Sequence, residues 1–579
     1  MFRDPTLFIL VPLGALAFAL GFWGFSLQQP WLGRAEGWSI ALGHVFRTLD
    51  LVRAGGSFAP NVQLPLQLEL ARIALPLCAL LIAFRAALLG LRRDARTALL
   101  RRARGHIVVT GPGGQARQAA LRLAGGPHRV VLLEPGVPEP EALALERAGV
   151  VTLGLDPRAD ESLAQAGIAR AAHLVALSGD EAANVEVALK ARRLRAATPR
   201  HGVLTATAGV GGGALYRRLQ ADPTLRLSGP GARLRLLDPR ADSLRALFRQ
   251  TPVQAALARP GSARNLLAVV GLGETGLAAA ATLARYNVAP AGLGSRIIGF
   301  DRDEGCAAPL QAIGAASEAE TLFRPVAIGP PAALDGAAAA VLREGVPVLV
   351  VVALAGDDLA LAAALDLRRA LDMAGHAAPV AVRLRRAAAL GDLLAAERPG
   401  GLLPFGQDDV LFAPETFLPD LLDDSAAAMH AAYLRGGPTG PAAVPWDALP
   451  EWYRLGSRDA ADFLPIALAS EGFALRRRGL GAHDDALPPP AALERMAALD
   501  HRRWLALHRQ RGWEAGPQRD VAARRHESLL PWDALPPPQQ ARGAAEMRDR
   551  LRHLLQAGWA LRDAAEDAAH SLPRAHGPA

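Results

Sequence analysis

Two long apolar runs near the amino terminus are the strongest pattern in the chain. The first, Leu7 to Leu27, has no charged residue. Its length matches the roughly 20 residues that an α-helix needs to cross the hydrocarbon core of a bilayer. The second, at about 67–91, is apolar from Ile73 onward except for Arg85. The pattern therefore predicts an α-helical membrane region over residues 1–104 with two spans, at about 7–27 and 67–91.

The arginines set the expected orientation of these spans. Six of them follow the second run between positions 92 and 104, and arginine-rich flanks lie on the cytoplasmic side of membranes. We therefore expect a multi-pass protein of a bacterial inner membrane whose later domains are cytoplasmic. Arg85 is a functional candidate because it lies within a span. It is also less than two turns from the cytoplasmic end, so it can equally snorkel to lipid headgroups.

The segment 37–59 between the spans combines an amphipathic pattern with a glycine-containing run, residues 53–58. A helix and a glycine loop between two spans is the layout of a potassium-channel pore domain. The Thr-Val-Gly-Tyr-Gly sequence of a potassium filter is missing, however, so potassium selectivity is not supported. The segment either lines a less selective pore or lies on the outer surface.

A strand pattern followed by a glycine turn begins directly after the arginines. Residues 106–110 are β-rich, and a second such strand ends in an acid 23 residues after the first glycine. Glycines allow a tight turn and close approach of a pyrophosphate, and the acid can accept hydrogen bonds from ribose hydroxyls. The pattern predicts a Rossmann-like domain with a doubly wound parallel sheet at 105–255. Its candidate nucleotide contacts are Gly111, Gly113, Ala116 and Glu134.

Further motifs follow in a recognisable order. They are Gly154-Leu-Asp156, the segment Ala166-Gly167-Ile168, and a turn containing Ser178, Asp180 and Asn184. Together with the glycine turn, this succession resembles the TrkA amino-terminal or RCK family, the regulatory domains of potassium-conductance proteins, over about residues 105–250. In this chain the family's Gly-Asp is shifted by one residue at Asp156. The resemblance implies NAD(H) or another adenine nucleotide in this first domain, with Asp156, Ser178, Asp180 and Asn184 as further contacts.

A second copy of the same pattern is predicted at 262–415. A strand leads into a second glycine turn, and the next strand ends in an acid. The candidate nucleotide contacts are Gly271, Gly273, Gly276 and Asp301. The third-strand turn of this copy reads Gly329-Pro330 without an acid, and the Ala-Gly-Ile segment is absent. The second copy is therefore expected either to bind a nucleotide or to have lost its ligand and serve as a dimerisation or lever module.

The carboxyl-terminal part, 425–570, contains a different repeat. Pro-Trp-Asp-Ala-Leu-Pro occurs at 445–450 and again 86 residues later at 531–536, and Gly-x-Ala-Leu-Arg recurs at the same offset. Each unit predicts an aromatic turn followed by a helix, and two helices per unit make an all-α domain. The fuller second unit, with its His-x-x-Trp, Gly-Trp, Arg-Asp and Pro-Trp series, resembles the ryanodine-receptor (RyR) repeat.

The RyR resemblance implies a peripheral module on a gated pore that senses a nucleotide-like messenger. The candidate pocket residues are Trp504, Trp513, Arg519, Asp520 and Trp532. Tryptophan faces can stack on a base and arginines can bind phosphates. Alternatively, the tryptophans are core anchors and the arginines are solvated. For Trp532 we favour the core-anchor alternative, because Trp446 occupies the same position in the first unit.

Composition excludes several other classes. The net charge of +8 comes from arginines spread along the chain, with Lys190 as the only lysine, so no nucleic-acid partner is expected. The two cysteines are far apart and the 14 histidines show no ligand spacing, so neither a disulfide framework nor a metal site is predicted. No catalytic residues are predicted, because no acid/base group suited to a dehydrogenase follows either glycine turn.

These features predict a ligand-gated ion channel or channel-like membrane protein. Its RCK and RyR modules would sense nucleotide-type ligands and gate a pore in the lipid bilayer. Two spans cannot enclose a pore, so a homo-oligomer is required, either a tetramer or a dimer of dimers. The alternatives are a membrane-anchored, nucleotide-sensing regulatory subunit of a potassium transporter, and a defence effector that permeabilises the membrane on sensing a nucleotide messenger.

Overall fold

The structure is a computed structural model. It describes residues 5–32, 36–53, 63–198, 202–211, 216, 218–219, 228–229, 231–258, 265–286, 288, 294–326, 334–385, 393, 401–438, 440–478 and 486–564. Side chains are not described for 5–8, 86, 88–102, 334–336 and 409. The chain divides into two compact units, Met1–Arg102 and Ala103–Ala579.

The first unit is helical. Its helices are α1 (Pro5–Gln28), α2 (Gly37–Asp50) and α3 (Leu66–Arg102). α1 and α3 approach closely because Gly24 has no side chain: a Cβ there would lie 2.8 Å from the Cβ of Leu68. Small residues at helix contacts are typical of packing inside membranes. The expected helix at 37–59 is present as α2, whereas 54–59 lie outside the described residues.

The outer surface of this unit is apolar. Large hydrophobic side chains such as Ile73 on α3 and Trp38 on α2 are 68% and 80% exposed. The windows Ile9–Gln28 and Leu66–Arg85 are each long and apolar enough to cross a membrane. An exposed apolar surface of this extent is typical of a region that contacts lipid or another protein. Length, composition and exposure thus agree with the two predicted spans.

The second unit begins with a six-stranded sheet in the order β3-β2-β1-β4-β5-β6. All its neighbouring strands pair in parallel. Its strands are β1 (Ile107–Thr110), β2 (Val130–Leu133), β3 (Val151–Leu153), β4 (His173–Ala176), β5 (Leu204–Gly209) and β6 (Ala232–Leu237). The helices are α4 (Gly114–Leu123), α5 (Glu139–Arg147), α6 (Asp160–Gln165), α7 (Glu181–Ala196), α8 (Pro239–Phe248) and α9 (Thr251–Leu257). This strand order is that of a doubly wound Rossmann fold.

The second sheet repeats that order as β9-β8-β7-β10-β11-β12, again parallel throughout. Its strands are β7 (Leu266–Val270), β8 (Arg296–Asp301), β9 (Glu320–Pro325), β10 (Leu349–Val352), β11 (Val380–Arg383) and β12 (Leu402–Phe405). The helices are α10 (Glu274–Arg285), α11 (Ala307–Ala315), α12 (Leu334–Arg343), α13 (Asp357–Met373), α14 (Asp408–Leu411) and α15 (Pro414–Phe417). Both predicted Rossmann-like folds are therefore confirmed.

The carboxyl-terminal repeat folds as two helix pairs. Its helices are α16 (Asp424–Arg435), α17 (Glu451–Ser470), α18 (Pro490–Gln510) and α19 (Pro537–Gln556). Each pair ends in a strand, β13 (Phe473–Arg477) or β16 (Trp559–Asp563), and these two strands pair antiparallel. Short strands β14 (Glu514–Ala515) and β15 (Arg525–His526) lie between α18 and α19. The sequence offset of 86 residues therefore relates α17 to α19 and β13 to β16.

Helix α17 packs against all the other parts of the second unit. Asp462 accepts hydrogen bonds from Arg245 and Arg249 of α8 and the residue after it, at 2.6 Å each. One turn earlier, Asp459 accepts from Arg285 of α10 at 3.0 Å and from Arg503 of α18 at 2.6 Å. Because these carboxylates are buried, the ion pairs hold both Rossmann-like folds and the RyR-type helices on one helix.

Candidate functional site

The first glycine turn has the geometry of a phosphate loop. Gly111 has φ of +132°, and a Cβ there would lie 2.4 Å from the carbonyl oxygen of Leu177. Gly113, the residue before α4, has φ of +123° and open space on its Cβ side. Ala116 is fully buried where α4 packs on the sheet. The turn thus leaves room for an anion at the amino terminus of α4, where backbone N–H groups favour it.

Glu134 is already engaged with protein groups. Its carboxylate is 2% exposed, receives the Nε–H of Arg117 on both oxygens at 3.1 Å, and accepts the Gly113 N–H at 3.2 Å. Arg117 also pairs with Glu141. The hydrogen bonds that Arg117 donates to Glu134 and Glu141 raise the pKa of its guanidinium above the ordinary value. A ribose can reach Glu134 only if Arg117 gives up part of this contact.

The turn after β4 is held together by Asn184. This side chain is 3% exposed and donates to the carbonyls of Ser178 and Gly209, at 2.9 and 2.8 Å. Its Oδ1 accepts from the N–H and hydroxyl of Ser178, both at 2.8 Å. All the hydrogen-bonding capacity of the Asn184 amide therefore serves the fold. Its position joins the ends of β4 and β5 at the ligand edge of the sheet.

The two predicted aspartates lie at the exposed rim of the first cleft. Asp180 caps α7 by accepting the Ala183 N–H at 3.1 Å and pairs with Arg158 at 2.9 Å. The cap hydrogen bond is the largest cause that lowers the pKa of the Asp180 carboxyl. Asp156 accepts the Arg158 N–H at 2.9 Å. Arg158 thus contacts both acids, Asp156 through its backbone N–H and Asp180 through its guanidinium.

The three glycines of the second glycine turn have different environments. A Cβ at Gly271 (φ +90°) would lie 2.8 Å from Leu354, whereas Gly273 faces open space. At Gly276 a Cβ would overlap the carbonyl of Gly271, so only glycine permits this helix to pack here. Asp301 accepts backbone N–H groups from Leu272 at 2.6 Å and Asp303 at 3.0 Å. Unlike Glu134, it is partly exposed, and within the described part of the chain no arginine side chain donates a hydrogen bond to it.

Two cavities lie at the carboxyl edges of the sheets. One of about 440 Å³ is lined by the second glycine turn, Asp301 and the β10–α13 turn. One of about 330 Å³ is lined by the β4–α7 turn, the end of β5 and residues after β11 and β12. Arg240 of α8 and Arg383 of β11 line both cavities.

These two arginines were not predicted from the sequence. The Asp-Pro pair before Arg240 signals a helix start at the sheet edge, but nothing local indicates that α8 faces the second fold. The Gly329-Pro330 turn of the second copy lies outside the described residues.

The predicted RyR pocket residues divide into buried and exposed groups. Trp513 is 5% exposed and stacks on Trp452 of the first repeat, with ring centroids 5.6 Å apart. Trp504 is surrounded by histidine rings, the nearest being His508 at 4.3 Å. Burial lowers the pKa of the His508 imidazole to about 3. Arg519 and Asp520 are exposed at the rim, where Arg519 donates to the Tyr453 hydroxyl at 3.4 Å.

Trp532 takes part in a contact that occurs in both repeats. His501 lies against it at 5.7 Å and bonds to the Leu530 carbonyl at 2.8 Å. The first repeat shows the same pattern, with His430 and Trp446 at 6.0 Å. Because the same rings meet in a unit that lacks the Gly-Trp motif, this contact belongs to the shared fold.

Arg85 closes the second apolar window, Leu66–Arg85, and helix α3 runs on without interruption to Arg102. Its position at the end of the apolar stretch agrees with a side chain that reaches the headgroups. Within the described residues, no group of three or more His, Cys, Asp or Glu side chains is arranged to hold a metal ion.

Comparisons with known proteins place two domains in the chain. The TrkA-N domain family model matches residues 107–222, and the RyR domain family model matches residues 490–563. No curated protein matches the chain. Similar solved structures include the GsuK channel (17% identity, 72% of this chain and 97% of that chain, TM-score 0.37). Others are the GsuK channel bound to NAD (15%, 82% and 86%, TM-score 0.36) and the GsuK RCK domain (15%, 67% and 82%, TM-score 0.35).

The first glycine turn and strands β1 to β5 lie within the first matched segment, and the histidine–tryptophan contact of the second repeat lies within the other. The chain thus contains a TrkA-N domain, a second Rossmann-like fold of the same strand order, and a carboxyl-terminal RyR domain.

Proposed function

We propose that this protein is a ligand-gated ion channel whose TrkA-N and RyR modules sense nucleotide-type ligands and gate a pore formed by its oligomer. The observation that carries the proposal is the continuity of helix α3. It extends from the apolar window through Arg85 to Arg102, and β1 of the TrkA-N domain begins only five residues later, at Ile107. A displacement of that domain is therefore transmitted to the span through a short connection.

The membrane unit supports conduction by its architecture. α2 packs against α1 with its polar side, where Thr48 is buried and His44 bonds to the Gln29 carbonyl at 2.8 Å. Trp38 and Phe46 on its other side are exposed. Such a helix can stand between two spans and face lipid or neighbouring protomers. Without the Thr-Val-Gly-Tyr-Gly sequence, the pore would not be potassium-selective by the usual carbonyl ladder.

The ligand in the TrkA-N domain would be an adenine nucleotide such as NAD(H). Gly111 and Gly113 would accommodate its phosphates at the start of α4. Glu134, released in part from Arg117, would accept the ribose hydroxyls, and Arg117 could then turn to the phosphates. In the RyR domain, Arg519 and Asp520 would meet a messenger at the rim beside Trp513.

Ion flux tests the proposal. The full-length protein in liposomes is expected to release ions only when ADP, ATP, NAD or a cyclic nucleotide is added. Gly114→Asp, which places a carboxylate in the open space at the start of α4, should abolish a response through the TrkA-N domain. Arg519→Ala should abolish a response through the RyR domain, and Arg552→Ala, another exposed arginine of that domain, should not.

The missing filter sequence favours one alternative, an anchored regulatory subunit of a potassium transporter. Nucleotide binding without flux under any ligand would support that function instead. Flux without any ligand dependence would contradict both.

A further inference from the structure

Arg240 belongs to the first Rossmann-like fold but lines the nucleotide cleft of the second. It follows β6 by three positions and lies at the start of α8. Its guanidinium pairs with Glu274, the first residue of α10, and lies 3.6 Å from the Asp238 carboxylate. α10 is the helix whose amino terminus follows the glycine turn of the second fold. The pair therefore stands where phosphates of a nucleotide in that cleft would lie.

Arg383 approaches the same place from the end of β11. Among the described residues, its side chain has no hydrogen-bond or ion-pair partner. Burial, and then the neighbouring cations Arg385 and Arg240, lower the pKa of its guanidinium. Arg385 lies 3.8 Å from Asp408, and its N–H donates to Asp357 at 3.0 Å. Asp357 and Asp408 thus already contact Arg385. The N–H donors of Arg383 are available to bind an anion.

The second cleft also has the other parts of a nucleotide site. Its volume of about 440 Å³ suits a small ligand. Gly273 has open space on its Cβ side, and Asp301 lines the same cavity. Among the described residues, no arginine side chain donates a hydrogen bond to Asp301, which accepts only backbone N–H groups. The cleft of the first fold differs, because Arg117 covers its acid.

We propose that Arg240 and Arg383 bind the phosphates of a nucleotide seated on the second glycine turn, so that the first fold completes the site of the second. The inference rests on the proposed function only in the class of ligand, a nucleoside di- or triphosphate or a dinucleotide. It requires no pore. Phosphates would compete with Glu274 for Arg240 and would draw α8 toward the second cleft.

Binding to the full-length protein in detergent, measured by calorimetry with ADP, ATP and NAD, tests the inference. Arg240→Gln and Arg383→Gln are each expected to weaken binding about tenfold, as the loss of a charge-assisted phosphate contact implies. Arg383→Lys should keep most of the affinity because it keeps the charge. Arg369→Gln, at an exposed position on α13 of the same fold, should change nothing.

The Arg240–Glu274 pair gives a sharper test because its partners should act in opposite directions. Glu274→Gln is expected to strengthen binding severalfold, since it removes a negative charge beside the phosphates and frees Arg240. If the ion pair were purely structural, Arg240→Gln and Glu274→Gln would both weaken nucleotide binding. That result would overturn the inference. Thermal melting of each variant identifies misfolded protein.

Hydrogen exchange shows which cleft is occupied. Added nucleotide should protect both the second glycine turn and α8, residues Pro239–Phe248, and Gly273→Asp should remove that protection. Nucleotide binding that is lost in Gly114→Asp but unchanged in Arg240→Gln and Arg383→Gln would show that only the first cleft binds, which overturns the inference. Absence of binding by the unmodified protein would also overturn it. Normal binding without ion flux would contradict only the channel.

Discussion

Two acids at equivalent positions have different neighbours. Glu134 follows the second strand of the first Rossmann-like fold, and Asp301 ends the second strand of the other fold. Arg117 donates to Glu134, whereas among the described residues only backbone N–H groups donate to Asp301. Accessibility to a ribose therefore depends on a single arginine, one turn along the helix that follows the first glycine turn. The acid of the second fold is therefore the more accessible of the two.

Asn184 is expected to act through stability. Asn184→Ala would leave the carbonyl of Gly209 and the N–H of Ser178 unpaired in a buried place, which costs about 2 kcal/mol. Asp180→Ala, which removes an exposed helix cap, should cost about 1 kcal/mol. Urea denaturation of the two variants would measure the difference. A loss at Asn184 no greater than that at Asp180 would contradict the structural role assigned to its amide.

Helix α17 is the element on which the second unit is assembled. Asp462 receives two arginines of the first fold, and Asp459 joins the second fold to the RyR domain. Since the two carboxylates are one turn apart, a shift of this helix would disturb its ion pairs with both Rossmann-like folds and with the RyR domain. We therefore expect substitutions in this helix to disturb more than one domain.

Removing the Asp462 charge should loosen this assembly. Asp462→Asn would leave Arg245 and Arg249 short of a buried partner, and such losses cost about 3 kcal/mol. Faster hydrogen exchange of α17 and α8 would report the effect. Asp447→Asn, at an exposed acid that pairs with Arg233 at 3.1 Å, is the matched control and should exchange at the normal rate.

The RyR domain should lose stability in acid through Asp500. Burial alone would raise the pKa of this carboxyl, but Arg503 and Arg550 outweigh burial and lower it to about 2. Because the folded pKa is below the unfolded one, the stabilisation is complete above pH of about 4 and is lost as pH falls toward 2. The Asp500→Asn variant should have a lower free energy of unfolding at pH 7, and that free energy should change less with pH over this range. Acid titrations followed by circular dichroism would measure both effects.

At the scale of the whole molecule, the proposed conduction would require self-association. The described part of one chain offers two candidate spans, which cannot surround a pore. The full-length protein in detergent is therefore expected to be a tetramer or a dimer of dimers, and native mass spectrometry would measure this. A stable monomer would exclude a pore made by this chain and would favour the anchored regulatory subunit.

The sequence by itself determined the elements and their order. Charge-free runs, glycines at positive φ and strand-length apolar segments are local features, because they depend on backbone sterics and burial over a few residues. The two spans, the paired Rossmann-like folds and the duplicated helix pairs were therefore predictable. The repeat also indicated Trp532 as a core anchor, since the equivalent residue Trp446 occurs in the first unit without the Gly-Trp motif.

Only the tertiary structure decided which groups meet. Arg117 closes one acid, Asn184 joins two strand ends, and Arg240 enters the cleft of another fold, although no local pattern marks these side chains. Such contacts arise from the packing of sheets and helices that are distant in the chain, and their energies depend on burial and on the charges brought nearby. The sequence thus determined where the glycine turns form, whereas packing decided which acid stays accessible and which arginines lie near it.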